Sequence, residues 1–181
     1  LLAVTMMFLR FMILILIFSP SIFLNIYPYL LLMSATAAGI GIFIHKKHTI
    51  KGEREVIEET ETESNPLEFK VALIFALLFV VFTFLTHYTL VYAGTGGLSI
   101  LSIATGLSDI TPFILNLLQG GNIPATIVGA CIMQAIISNI VVNMFYAIFF
   151  SSRRKEMLPY VWKGFLTVIG VNAVLLLIYY F

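Results

Sequence analysis

From Val71 to Ser152 the sequence carries a single Asp, Glu, Lys or Arg: Asp109, the only aspartate in the chain. Soluble domains are about 25% charged, so a run this long without charge has almost no surface to offer water. The whole chain of 181 residues is 60% hydrophobic and 10% charged, with a mean hydropathy of +1.04. Apolar runs beyond about 18 residues are the signature of helices that cross a bilayer. The alternating ten-residue strands of a membrane β-barrel are not found. The expected fold is all-α: a polytopic transmembrane helix bundle of about five full spans plus one broken or re-entrant helical hairpin.

The remaining charge is segregated. Seven of the nine acids fall between Glu53 and Glu68, and the bases gather at Lys46, Lys47, Lys51 and Arg54, and again at Arg153, Arg154 and Lys155. None of this forms a nucleic-acid patch. The lone Cys131 cannot make an intramolecular disulfide and reads as a small buried side chain. Residues 1 to 18 resemble a signal-peptide core, but no basic region precedes them and no small-x-small site follows them. The chain opens on Leu, which reads as the C-terminal part of a longer polytopic protein or as a processed one.

Three regions follow. Residues 1–44 hold two transmembrane helices, LLAVTMMFLRFMILILIF and a second from about Ile22 to Ile44. Residues 45–65 form a hydrophilic linker, expected to be cytoplasmic and solvated. Residues 66–181 form a C-terminal membrane domain with a broken segment near 105–112. NPLEFK opens the third segment well, with Asn65 as cap, Pro66 in the first turn and Glu68 at the positive end of the dipole. The fifth and sixth segments run from about Ile123 to Phe150 and from about Leu158 to Phe181.

The fourth segment, SILSIATGLSDITPFILNLL between AGTGG and QGGN, does not fit a simple span. Gly106 and Pro112 bracket Leu107-Ser108-Asp109-Ile110-Thr111, and each apolar half is only about 15 Å of helix against a core of about 30 Å. The positive-inside rule offers a test. With Lys46 and Lys47 in the cytoplasm, a hairpin in segment four keeps Arg153, Arg154 and Lys155 on the same side. A single crossing places them outside. The bias favours the hairpin; one broken helix that crosses fully is the alternative.

A carboxylate at depth needs a partner, a cavity or a proton. Asp109 is therefore expected at the interruption, facing protein rather than lipid, with the hydroxyls of Thr105, Ser108 and Thr111 nearby. It has two readings: a helix cap, because Asp caps well before an early proline, or a cap that also serves an ion or solute site, as discontinuous helices do in many transporters. In CIMQAIISNIVVN, Asn139 and Asn143 share one face with Ala135 and Ala147, and Ser138 lies beside them. That pattern suits close helix packing or amides facing Asp109 across a polar cavity. Ser99, Ser102 and Gly106 form another face suited to close packing. Arg10 is the second buried-charge candidate, either paired with Asp109 or snorkelling. His87 and Tyr88 read as an interfacial belt, Lys163 as a snorkelling base, and Asn172 as bonded to a neighbouring helix.

No enzyme signature, cofactor motif or metal-spaced set of ligands is present, and AGTGG lacks the Lys-Ser/Thr end of a phosphate loop. The metal, if any, is unspecified. The expected partners are the lipid bilayer, a small cation or solute, and a further copy of the chain, with no nucleic acid.

With these landmarks in place, NPLEFKVALIFALLF (65–79), GLSDITPFILNLLQG (106–120), the Ser138-Asn139 pair and VTMMFLRFMILI (4–15) resemble a known family. It is the membrane domain of unknown function found C-terminal to an MgtC-like region in bacterial and archaeal MgtC/SapB-type proteins. The resemblance is read mainly over Asn65 to Phe181. It implies a multi-pass protein of the cell (inner) membrane, and its name carries an association with magnesium but no established transport. Two departures stand out: the family's usual Asp-x-Asp at the break has Thr111 in its second position here, and a lysine often found near Asn143 is absent. The functional expectation is a transporter-like protein handling an ion or small solute through the break. The alternative is a non-transporting regulatory or scaffolding subunit.

Overall fold

A computed structural model describes residues 2–48, 67–120, 123–151 and 158–180. These residues form six helices: α1 (Leu2–Phe18), α2 (Pro20–His48), α3 (Leu67–Thr105), α4 (Thr111–Gln119), α5 (Ala125–Ser151) and α6 (Leu158–Tyr180). No strand occurs among the described residues, as the composition requires. His45 to His48, with Lys46 and Lys47, form the end of α2; the rest of the linker and the Arg153–Lys155 cluster lie outside the described residues, so the expected topology is not addressed.

Four helical stretches are long and apolar enough to cross a membrane: Pro20–Phe43, Ala72–Thr105, Ala125–Phe149 and Trp162–Tyr180. The chain is thus a helical membrane protein. The fifth expected span, α1, is an apolar helix of 17 described residues. It packs along α2, with Phe8, Phe11 and Ile15 meeting a face of Ile22, Ile26, Leu30 and Met33. Both sets recur every three or four residues, the spacing of one helix face.

Within α3 the helix is sharply kinked at Gly94 (φ 59, ψ −151). This backbone region is essentially reserved for glycine. A methyl at Gly97 would meet the Ala93 side chain, sit 2.9 Å from Thr89 Cγ2 and lie 3.5 Å from the Thr89 carbonyl oxygen. In an uninterrupted helix, positions eight apart are separated by about 12 Å of rise. The first limb, residues 67–93, still spans about 40 Å. The second limb, residues 95–105, runs beside α5 in the same direction: Ser99 and Ser102 lie by Cys131, and Ile103 and Gly106 meet Ser138 and Asn139. The sequence placed all of AGTGG between helices; only Gly94 leaves the helical conformation, and Thr95 to Gly97 already belong to the second limb.

After a non-helical stretch at 106–110, α4 packs on the first limb. The Phe113 ring meets that of Phe82 at 6.0 Å, and Asn116 Nδ2 donates to Thr83 Oγ1 at 2.7 Å. On the other side of α5, α6 brings Tyr179 against Gly129 and edge-on to Tyr29 of α2. The central helix α5 therefore touches the second limb of α3 on one face and α6 on another.

Candidate functional site at the helix break

The break begins where Gly106 meets α5. A methyl group at Gly106 would run into the Ser138 side chain and come within 2.8 Å of the Asn139 amide nitrogen. Only glycine allows this approach, and it brings the polar face of α5 to the freed backbone. Ser138 Oγ donates to the Ile103 carbonyl at 2.7 Å, and Asn139 Nδ2 donates to the Gly106 carbonyl at 3.2 Å. Asn143 Nδ2 then donates to Asn139 Oδ1 at 3.0 Å and orients that amide. Within the limb, Ser102 and Thr105 turn their hydroxyls back to the carbonyls of Leu98 and Ser102, and Ser108 returns to that of Thr105.

Asp109 sits one residue before the formal N-cap, Ile110. Its Oδ1 accepts the Thr111 amide at 3.0 Å. This satisfies one donor of the first turn of α4, with Pro112 following as expected. Thr105 and Thr111 are buried, while Ser108 and Asp109 are exposed. The carbonyls of Leu107, Ser108 and Asp109 accept no hydrogen bond from the described residues. A carboxylate and three carbonyl oxygens therefore open on the same five-residue turn. These are hard oxygen ligands of the kind that suit an alkali or alkaline-earth cation.

Three expectations change. Asp109 does not face other groups of its own chain: it caps α4 from the exposed side of the turn. Asn139 and Asn143 do not look across a cavity at Asp109, because the Gly106 carbonyl lies closer to α5 and takes the amide. Arg10 is exposed at the midpoint of α1, and no ion pair joins it to Asp109 among the described residues. Asn172 is fully buried on α6, yet neither amide atom has a partner among the described residues. His87 and Tyr88 are exposed and in ring contact, and Tyr88 stacks on Tyr92. Lys163 is exposed and Cys131 is a buried free thiol. The Asn116–Thr83 bond was missed: Thr83 is one hydroxyl in an apolar run, and nothing in the local pattern says that α4 will return to it.

An uncharacterized protein of Aquifex aeolicus (strain VF5) is 25% identical over 157 residues, covering 85% of this chain and 65% of that protein. The chain thus spans about 65% of the length of this relative. No solved structure matches. A family model described as domain of unknown function DUF4010 matches residues 1–151. The match takes in α1 and α2, which the resemblance had treated mainly as a preceding segment, together with the whole of the break and α5. On that match the chain belongs to the DUF4010 family.

Proposed function

We propose that this multi-pass protein of the cell membrane is transporter-like and handles a small cation or a small polar solute at the 106–110 break. In this reading the second limb of α3 and α4 form a re-entrant pair. Both leave and regain the side of the membrane at which Gly94 lies, so that the break reaches mid-depth. The return of α4 to Phe82 and Thr83 supports this arrangement. The carrying observation is the coexistence of Asp109 with three carbonyl oxygens that no donor among the described residues uses. Irregular backbone at depth is tolerated where protein or a water-filled cavity satisfies it, and here α5 satisfies only the Ile103 and Gly106 carbonyls. The reading is of a non-enzymatic protein. A link to an MgtC-like region and to magnesium is part of the proposal and rests on the sequence resemblance.

The test is flux into proteoliposomes for protons, Na⁺, Mg²⁺ and small organic ions, comparing wild type with Asp109→Asn. Asparagine also caps helices well, so the variant removes charge while keeping the turn. The expected outcome is protein-dependent flux of one species, reduced by the substitution. Vesicles with and without protein behaving alike across the panel would sink the reading.

A second reading, a regulatory or scaffolding membrane subunit without transport, draws on one specific observation. Ser138 and Asn139 spend their donors in closing the break rather than in lining a cavity. A stoichiometric partner recovered from native membranes, together with absence of flux, favours it.

A further inference from the structure

Arg10, on α1, and Asp109, in the turn beyond the second limb, are exposed charges of opposite sign in otherwise apolar surroundings. Arg10 lies within α1 (Leu2–Phe18), two turns before its C-terminal end. Asp109 lies just beyond the end of the second limb, about 16 Å of helix past the kink at Gly94. Neither has a salt-bridge partner among the described residues, and the only bond recorded for the Asp109 carboxylate is the Thr111 amide.

Their surroundings match. Met6, Arg10, Ile13 and Ile17 follow one another at intervals of four, three and four, and Met6, Ile13 and Ile17 are 68%, 60% and 69% exposed. That interval makes a seam for a second helix, and one polar residue in such a seam fixes register. On the second limb, Ile100 and Ile103 are exposed three residues apart, and the exposed Leu107 and Asp109 follow in the turn beyond it. One seam carries a single base and the other a single acid. Facing lipid, each charge is expensive; facing each other, each supplies what the other lacks.

We infer that two copies of this chain associate so that Arg10 of each meets Asp109 of the other. A two-fold axis makes the contact reciprocal and gives two identical pairs. Each break is then completed by the partner's Arg10, and a cation at the break competes with that guanidinium for the carboxylate. The pairing stands independently of transport: a dimer without flux removes the proposed function and leaves this inference intact.

The test uses the full chain in membranes. In a Cys131→Ser background, Arg10→Cys and Asp109→Cys chains with different tags are co-expressed and treated with a short bifunctional thiol reagent. A product joining the two tags is expected. Wild type, Arg10→Leu, Asp109→Leu and the swap Arg10→Asp with Asp109→Arg are then compared for dimer affinity. Each single change should weaken the dimer by about thirtyfold or more, the scale of truncating one half of a buried charge pair, and the swap should restore most of it. The swap keeps the test decisive if a single variant folds poorly. A monomeric wild type, an unchanged dimer in the single variants, or closure only within one chain carrying both cysteines overturns the inference.

Discussion

The chain interrupts its third long helix twice, and the two interruptions are built differently. At Gly94 the kink uses one residue at a positive φ, with open space around it: nothing lies within 4 Å of where a side chain would begin. At 106–110 the interruption takes five residues, and another helix presses so closely that Gly106 has no room for a methyl. The first is a property of the backbone, the second a property of packing and of hydrogen bonds that cross from α5. A glycine can therefore be demanded for two unrelated reasons within one short stretch. Substitutions at the two positions should fail in different ways.

The largest effect is expected at Gly106. Gly106→Leu places a side chain against Ser138 and the Asn139 backbone, and should prevent the second limb from seating on α5. Even Gly106→Ala should cost about 1–3 kcal/mol by overpacking, read as a lower thermal midpoint in detergent. A Gly106→Ala chain as stable as wild type would mean that α5 does not press on the break. Next is Gly94→Ala, for which clash contributes nothing and conformation everything. The cost should again be about 1–3 kcal/mol from strained backbone, and a second change, to Asn or Ser, should not relieve it by making space. The smallest effect is expected for Asn139→Ala. Losing the bond to the Gly106 carbonyl should cost about 1 kcal/mol, and Asn143→Ala in the same chain should add less than its separate effect because the two amides form one chain of bonds.

The break was legible because its residue types have few other uses. Glycine, a polar run with one acid, and an early proline announce a helix that stops and restarts. Ser138, Asn139 and Asn143 were legible as a polar face by their spacing. What the sequence did not carry was which atoms that face would meet. Asn139 chooses a backbone carbonyl over Asp109 because Gly106 brings the backbone nearer, a matter of ångströms between segments far apart in sequence. Likewise, AGTGG offers three glycines for one kink. The choice of Gly94 follows from Gly97 lying against Ala93 and Thr89, which is known only once the two limbs are together. The contrast in burial was invisible too: half of the most apolar stretch of Ala125–Phe149 is buried against 11% of that of Ala72–Thr105, though both are equally apolar. In a membrane protein hydrophobicity marks what enters the bilayer and says little about which face meets protein.

The hydrogen bonds from Ser138 and Asn139 reach back 35 and 33 residues to the carbonyls they satisfy. At a synthesis rate of about 5–20 residues per second, that separation is roughly two to seven seconds. For that interval the newborn second limb ends in bare carbonyls with no α5 to receive them. Each molecule must pass through an age at which its break is still unsealed, and water or a companion in the insertion machinery has to shelter it until the closing helix has been made.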